Sequence, residues 1–338
     1  MRGAAAYFAD IINQSGDDPC DLIVATDFLN LADLRGLLRP PWDRVPTLLY
    51  LHENQLTYPL SPEEEFDFHF GFTNILSALA ADQLVFNSEY HRQLFLDSLP
   101  NYLAKMPEAV PRNLRNRLAA KTCVLPVGLD RRPHSSDAPA PYLGGPCSTG
   151  AGPPWPHDGR LPTLLWNHRW EFDKRPEIFA ETLLRLHAAE VPFQVLLLGD
   201  PRHHEEVFMP LHDRLGSRCL AFGYLPDRAA YAARLALADV VVSCAEQEYF
   251  GIAVAEAVHA GAYAVLPNRQ VYPSLYGNRC RGRHIYTDDE DLYDLLQRLL
   301  TGSTCGHACS LPLDCDAYCW ENLIARYDEL FDRVANRG

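Results

Sequence analysis

The sequence predicts an α/β protein built from two doubly wound domains, each a parallel sheet with helices on both faces. Two observations lead to this fold class. Short apolar runs alternate with stretches of helical periodicity along most of the chain, which is typical of βαβ units. In addition, 338 residues are enough for two domains, and the apolar fraction of 47% is enough to build a core in each.

Residues 1–130 are predicted to form the first domain. His52 and Glu53 come just after its second apolar run, and Asn87 and Ser88 come just after its third. Because ligands bind at the carboxyl ends of strands in this fold class, these four are candidate site residues. The strands are expected at 22–25, 47–51 and 83–86, with a helix at 70–81.

Residues 131–160 are rich in Pro, Gly, Ser and Ala, a composition that predicts a partly disordered interdomain linker. The second domain is predicted at 161–315. A last helix is expected within 316–338, with Trp320, Leu323, Ile324, Tyr327, Phe331 and Val334 on one apolar face. The strands of the second domain are expected at 162–167, 193–199, 219–222, 238–243 and 263–266.

Two glutamates in the segment 244–262 follow the strand predicted at 238–243. Glu248 falls on a Gly-containing turn, and Glu256 falls eight residues later inside the next helix, about two turns along the same side. Strand, turn and helix in this order present backbone N–H groups to an anion or a sugar hydroxyl. A nucleotide-sugar site is one interpretation, and a solvated Glu248 with a structural Glu256 is the other.

A basic loop follows the strand predicted at 162–167. Arg169 and Lys174 lie five residues apart there, and Pro176 begins a helix. Arginine offers phosphate a planar fork and lysine a point charge, so the pair suits the diphosphate leaving group of a nucleotide-sugar. The alternative is a solvated turn in which Glu171 and Asp173 neutralise both cations.

Several motifs together resemble a known enzyme family. They are His-Glu-Asn-Gln at 52–55 with Tyr58-Pro59, Val-Phe-Asn-Ser at 85–88, Trp-Asn-His-Arg-Trp-Glu-Phe-Asp-Lys at 166–174, Phe-Gly-Tyr-Leu-Pro at 222–226 and Val-Tyr-Pro at 271–273. In this order they resemble the glycosyltransferase-like domain-containing protein 1 family, the tRNA-queuosine mannosyltransferases. The basic pair followed by the glutamate pair is similar to retaining GT-B glycosyltransferases of family four.

The resemblance implies a fold, a reaction and a set of roles. It implies two Rossmann-like domains facing across a cleft, with the C-terminal helix crossing back to the first. It implies transfer of mannose from GDP-mannose to queuosine at the wobble position of tRNA(Asp). No Asp-x-Asp motif stands at a strand end in a metal-binding context, and Arg and Lys can replace a metal cation, so no cofactor beyond the nucleotide-sugar is expected. By resemblance, Arg169 and Lys174 bind the diphosphate and Glu256 binds the ribose. Glu248 binds the sugar with the amides of Phe250, Gly251 and Ile252, and His52 approaches the sugar. Gly199 is a candidate donor-binding residue because it ends a predicted strand beside the same cleft.

The N-terminus departs from the family pattern. Members begin with a strand, a Gly-rich loop and a helix, whereas residues 1–10 here resemble the segment that follows that unit. We therefore expect the first strand and its loop to be absent from this sequence. A truncated, non-catalytic form is kept as one alternative function.

The net charge of −14 does not favour a nucleic-acid partner, because phosphate contacts need Lys and Arg. The tRNA expectation thus depends on the resemblance, and a lipid, glycan or small-molecule acceptor is the other alternative. Two basic segments, 101–132 and 268–284, are either a local tRNA-facing patch or ordinary surface. The basic residues are Lys105, Arg112, Arg115, Arg117, Lys121, Arg131 and Arg132 in the first, and Arg269, Arg279, Arg281 and Arg283 in the second.

The ten cysteines are expected to be reduced. The sequence has no secretory signal and no apolar run long enough to span a membrane, so a cytoplasmic location is expected. Cys305, Cys309, Cys315 and Cys319 do not have standard zinc spacing, and no metal site is predicted. The sequence does not indicate an oligomeric state.

Overall fold

The computed structural model describes residues 3–16, 18–61, 65–106, 108–130, 159–201, 205–276, 284–302 and 315–336. The chain divides into two compact units. The N-terminal unit consists of Met1–Gly128 together with Glu321–Gly338, and the C-terminal unit is Leu129–Trp320. Apart from Gly159 and Arg160, the predicted linker lies outside the described residues, so the predicted domain boundaries stay predictions.

The N-terminal unit contains a four-stranded parallel sheet in the order β1-β2-β3-β4, with β1 at one edge. Every residue of β2 and β3 is buried, as expected for strands covered on both faces. The strands are β1 Ile23–Thr26, β2 Thr47–Leu51, β3 Gln83–Phe86 and β4 Thr122–Val124, and the helices are α1 Ala4–Asn13, α2 Leu31–Leu37, α3 Phe68–Ala80, α4 Glu89–Leu103 and α5 Leu114–Ala119.

Short polar side chains begin several of these helices. Asn30, Asp67 and Ser88 accept hydrogen bonds from first-turn amides of α2, α3 and α4. Ser88 comes two residues after the end of β3, so it turns the chain directly from strand to helix. The carboxyl ends of β1 and β3 are therefore connected to the helices that follow them by short loops.

The C-terminal unit is a six-stranded parallel sheet in the order β10-β9-β8-β5-β6-β7. This is the doubly wound order, and its direction reverses between β5 and β8. The strands are β5 Thr163–Trp166, β6 Gln194–Leu198, β7 Cys219–Gly223, β8 Val240–Val242, β9 Tyr263–Pro267 and β10 Ile285–Tyr286, and the helices are α6 Pro176–Ala188, α7 Glu205–Leu215, α8 Arg228–Leu235, α9 Ile252–His259, α10 Tyr272–Tyr276 and α11 Asp289–Leu300.

Aromatic side chains fill the core of the C-terminal unit on the β5–β6–β7 side of the sheet. Trp166 on β5 and Trp170 in the following loop are both fully buried and both pack against Phe208 of α7. Trp170 also contacts Phe222 of β7. The loop that carries the predicted basic pair is thereby anchored in the core.

The last helix, α12 (Trp320–Ala335), packs on the N-terminal unit, which confirms the predicted crossing back. Leu330 and Val334 are buried against Leu48 and Val85 of the sheet. The Tyr327 hydroxyl donates to the Pro126 carbonyl at 2.8 Å. One detail of the predicted apolar face is wrong: Ile324 is 49% exposed, whereas Leu330, which the pattern omitted, is 3% exposed.

We predict that Leu330→Ala destabilises the N-terminal unit, because it leaves a cavity between α12 and the sheet. The free energy of unfolding should fall by about 2–4 kcal/mol, as measured by urea denaturation followed by circular dichroism. Ile324→Ala on the exposed side of the same helix is the matched control, and its effect should be within about 0.5 kcal/mol. Equal losses in the two variants would contradict this packing.

Candidate active site

Two loops of the C-terminal unit meet at the switch point of its sheet. One loop follows β5 and carries Arg169 and Lys174, and the other follows β8 and carries Glu248. The strands β5 and β8 are paired neighbours, so their carboxyl ends lie side by side although they are about 75 residues apart in sequence. This edge is where doubly wound sheets bind ligands.

Lys174 is the most enclosed cation of this edge, with its side chain only 10% exposed. Its Nζ donates to the Gln247 carbonyl at 2.7 Å and lies 3.0 Å from Asp173 Oδ2. A third, longer contact of 3.4 Å joins it to Glu248 Oε2. An ammonium group has three N–H donors, so the surrounding protein engages all of them.

The charge state of Lys174 follows from these contacts. Burial by itself lowers the pKa of Lys174, but the carboxylates of Glu248 and Asp173 outweigh burial and raise the pKa above its ordinary value. Lys174 therefore stays positively charged at neutral pH. An anion that binds it must replace one acceptor, and Glu248 is held at the longest distance.

Asp173 joins the two loops, a role that the sequence analysis missed. Its backbone carbonyl accepts hydrogen bonds from the amides of Glu246 at 2.7 Å and Gln247 at 3.4 Å. Its fully buried carboxylate pairs with Lys174. Its position next to Lys174 in the motif is the only sequence signal for this role.

Arg169 has a different environment from Lys174. Its side chain is 55% exposed and forms an ion pair of 3.0 Å with Glu171. Its charge is close enough to oppose the rise in the Lys174 pKa that the carboxylates cause. The predicted basic pair thus consists of one buried and one exposed cation. Each has the carboxylate partner that the solvated-turn interpretation expected, Glu171 for Arg169 and Asp173 for Lys174, but the Lys174 pair is buried rather than solvated.

The turn between Glu248 and α9 requires glycine at position 251. Gly251 has a φ of 81°, and a Cβ there would lie 3.2 Å from the Tyr272 ring. Phe250 is buried against Tyr318, whereas Ile252 is 38% exposed at the first position of α9. The first-turn amides of α9 have no intrahelical acceptor, and Gly251 supplies no side-chain cap.

Glu256 lies on α9 with its side chain 25% exposed. Its Oε2 accepts a hydrogen bond of 3.1 Å from the Tyr231 hydroxyl, and its Oε1 lies 3.7 Å from the Arg228 guanidinium. Burial raises the pKa of Glu256, and these two groups offset part of that rise. Tyr231, in α8, was not found by sequence analysis because no local pattern links it to Glu256.

Gly199, directly after β6, allows two backbone segments of the site to pack closely. Its φ is 142°, and a Cβ there would lie 2.2 Å from the His168 carbonyl. The buried His168 is neutral, because burial and the charge of Lys174 lower its pKa to about 3. Gly199 therefore allows β6 to approach the basic loop closely, and direct contact with a donor stays a prediction.

In the N-terminal unit, polar side chains hold the loop that contains His52. Asp27, just after β1, accepts the His52 amide at 2.8 Å, and Asn87, just after β3, donates to the His52 carbonyl at 2.8 Å. Asn74 accepts the Gln55 amide at 2.7 Å and donates to the Asp27 carbonyl at 3.1 Å. The His52 side chain is left exposed beside this fixed backbone.

Asp27 is a further residue that the sequence analysis missed. It is 6% exposed, and burial raises its pKa although the His52 amide opposes that rise. Its sequence signal is the same as that of His52, a polar residue directly after an apolar run. The first strand was predicted at 22–25 and lies one residue later, at Ile23–Thr26, and Asp27 was not considered.

Several residues of the two basic segments have hydrogen-bond or ion-pair partners within their own unit. Lys121 donates to the carbonyls of Leu79 (3.0 Å) and Ala81, and Arg115 pairs with Asp97 at 2.9 Å. In the second basic segment, Arg269 forms an ion pair of 3.0 Å with Glu246 and donates to the Ala245 carbonyl at 3.1 Å. Arg131, Arg132, Arg279, Arg281 and Arg283 lie outside the described residues.

Among the described residues, no group of three or more His, Cys, Asp or Glu side chains is placed to hold a metal ion. Cys305 and Cys309 lie outside those residues, as does the side chain of Cys315. Cys319 is buried, with its Sγ 3.9 Å from His259 Nε2. None of the helices in the described ranges combines the length and apolar character of a membrane span.

Comparison with known proteins finds a family match in each of the two units. Residues 1–129 match the family model described as tRNA-queuosine alpha-mannosyltransferase N-terminal, and residues 153–310 match glycosyl transferases group 1. A tRNA-queuosine alpha-mannosyltransferase from Drosophila melanogaster is 35% identical over 278 residues, which is 81% of this chain and 70% of the relative.

Solved structures support the fold. The alignment with sucrose-phosphate synthase from Thermosynechococcus elongatus covers 100% of this chain and 78% of that enzyme, with a TM-score of 0.67 and 17% identity. The alignment with the Anabaena protein HepE, solved in complex with UDP, covers 98% of this chain and 82% of HepE, with a TM-score of 0.63 and 17% identity.

The fold and the matches together define a class. Two parallel α/β units and a group 1 glycosyltransferase match make this protein a glycosyltransferase of the GT-B fold. More narrowly, the chain belongs to the tRNA-queuosine alpha-mannosyltransferase family.

Proposed function

We propose that this chain transfers mannose from GDP-mannose to the queuosine at the wobble position of tRNA(Asp), with retention of the anomeric configuration. Family membership supports the reaction class and the acceptor. The observation that carries the proposal is the buried, charged Lys174 beside Glu248 at the switch point of the sheet. A nucleotide-sugar needs this combination, a cation for its diphosphate next to a carboxylate for its sugar hydroxyls.

The donor occupies the edge formed by the loops after β5 and β8. Lys174 and Arg169 bind the diphosphate, Glu256 binds the ribose, and Glu248 binds hydroxyls of the mannose. The amides of Phe250, Gly251 and Ile252 contribute further donors, as expected at a helix N-terminus. Gly199 keeps β6 close to this loop.

Donor binding changes the partners of Lys174. A phosphate oxygen replaces Glu248 on the ammonium, because that contact, at 3.4 Å, is the longest of the three. The carboxylate of Glu248 then becomes available for mannose hydroxyls. Asp173 and the Gln247 carbonyl remain and keep the ammonium in place.

The reaction breaks the bond between mannose C1 and the donor phosphate oxygen and forms a bond from C1 to the acceptor hydroxyl oxygen. Negative charge develops on the departing diphosphate, where Lys174 and Arg169 stabilise it. The hydroxyl proton passes to a diphosphate oxygen, so no separate protein base is needed. Since the two side chains supply the positive charge, we propose that the reaction proceeds without a metal ion.

The acceptor side is assigned to the N-terminal unit. His52 is exposed after β2, and Asp27 and Asn87 fix its backbone. This arrangement suits a side chain that orients a reacting group, because its backbone cannot drift while the ring stays accessible. The tRNA partner and a cytoplasmic location remain parts of the proposal.

The net charge of −14 favours a second candidate, transfer to a lipid, glycan or small-molecule acceptor. To separate the two, purified protein is incubated with GDP-mannose and tRNA(Asp) that contains or lacks queuosine, in the presence of EDTA, and the digested nucleosides are analysed by mass spectrometry. We expect one hexose on queuosine only.

Transfer to a lipid extract instead would favour the second candidate, and activity that needs added magnesium would contradict metal independence. Absence of transfer to any acceptor would support a non-catalytic form.

We predict that Lys174→Ala lowers kcat by about 100-fold, the typical loss when one group that stabilises developing charge is removed. Steady-state kinetics at saturating donor and acceptor measure this effect. The control is Arg185→Ala, which removes an exposed cation paired with Glu290 on the same unit and should leave kcat nearly unchanged. If the Lys174 variant kept its kcat, Lys174 would have no part in the chemical step.

A further inference from the structure

The Glu256 carboxylate is held in one orientation by its neighbours. Tyr231 donates a hydrogen bond to Oε2 at 3.1 Å, while Oε1 faces the more distant Arg228 guanidinium at 3.7 Å. A glutamate side chain on a helix has several rotatable bonds, so without such a contact its carboxylate would sample several directions. The Tyr231 hydroxyl removes that freedom.

Tyr231 is in turn oriented by Asn167, the residue directly after β5. The Asn167 Nδ2 donates to the Tyr231 hydroxyl oxygen at 3.0 Å and to the Ala253 carbonyl at 2.7 Å. Ala253 lies in the first turn of α9, the helix that carries Glu256. One amide group therefore ties together the loop after β5, helix α8 and helix α9.

These contacts determine the direction of the hydrogen bonds. Because the Asn167 amide already donates to the Tyr231 oxygen, the single Tyr231 hydroxyl hydrogen is directed to Glu256. Asn167 is only 9% exposed, and its Oδ1 is buried with no hydrogen-bond partner among the described residues. An unpaired buried oxygen is unfavourable, so no contact of Oδ1 favours this orientation. The two hydrogen bonds that Nδ2 donates hold Asn167 in place.

We infer that Tyr231, oriented by Asn167, is a positioning residue that aims the Glu256 carboxylate at the ribose diol of the donor, and so sets the preference of the site for ribonucleotides. This inference depends on the ribose role that the proposed function gives to Glu256. Tyr231 itself does not touch the reacting atoms. Its effect is on discrimination between nucleotides with and without ribose hydroxyls.

The test compares the affinity for GDP with the affinity for 2′,3′-dideoxy-GDP by calorimetry. The wild type should prefer GDP, and Glu256→Gln should lose most of that preference. Tyr231→Phe, which removes only the hydroxyl, should reduce the preference by about 5-fold, equivalent to one ordinary hydrogen bond. Tyr293→Phe on α11, where the ring lies over Arg185, is the matched control and should keep the wild-type ratio.

A second variant tests the direction of the hydrogen bonds. Asn167→Asp replaces the amide donor with an acceptor that competes with Glu256 for the Tyr231 hydrogen. The preference for GDP should fall as it does in Tyr231→Phe. In the double variant Asn167→Asp/Tyr231→Phe, the preference should be no lower than in either single variant.

The outcomes separate this inference from the proposed function. Equal weakening of both nucleotides by Tyr231→Phe, or an unchanged ratio, would overturn the positioning role. If Glu256→Gln kept the full preference for GDP, the ribose role of Glu256 would be wrong, and the proposed donor site would fail with it. Additive losses in the double variant would show that Asn167 acts independently of Tyr231.

Discussion

The placement of one buried cation, Lys174, determines most of the site. An ammonium group that is largely removed from water is unfavourable unless its donors are satisfied. Here the three acceptors come from the loops after β5 and β8, which meet only because these strands are neighbours in the sheet. The doubly wound strand order is therefore a requirement for a charged Lys174.

The same pairing of loops connects stability with function. The Asp173 carbonyl accepts hydrogen bonds from amides of the opposite loop, and its carboxylate pairs with Lys174. The charge of Lys174 and the backbone geometry therefore support each other. Glu248 is the acceptor held least closely, which makes it the group that a phosphate can replace. On the other side of the turn, α9 presents its first-turn amides and, further along, Glu256. In the proposed donor site, one strand-turn-helix segment and the loop beside it thus bind the diphosphate, the sugar and the ribose.

The strands with continuous apolar runs could be predicted from the sequence. The expected β2 (47–51) and β3 (83–86) agree with the structure, because such runs are typical of covered parallel strands. Strands β4 (122–124) and β10 (285–286) were missed. All three residues of β4 are only partly buried, and β10 has only two residues, so neither forms the continuous apolar run by which β8 was predicted. The docking of α12 was expected from its apolar face, although Leu330 shows that the face was assigned with a small rotational error.

The site could be predicted only where its residues form local motifs. Lys174, Glu248 and Glu256 could be proposed as site residues because they fall in such motifs after strands. Asp27 and Tyr231 could not, because each acts on a residue 25 positions away that only the folded sheet brings near. The most direct test of the account is a crystal structure with GDP bound. We predict a diphosphate oxygen about 2.7–2.9 Å from Lys174 Nζ, with Glu248 displaced from that group; a diphosphate bound elsewhere, with the Lys174–Glu248 pair intact, would contradict the account.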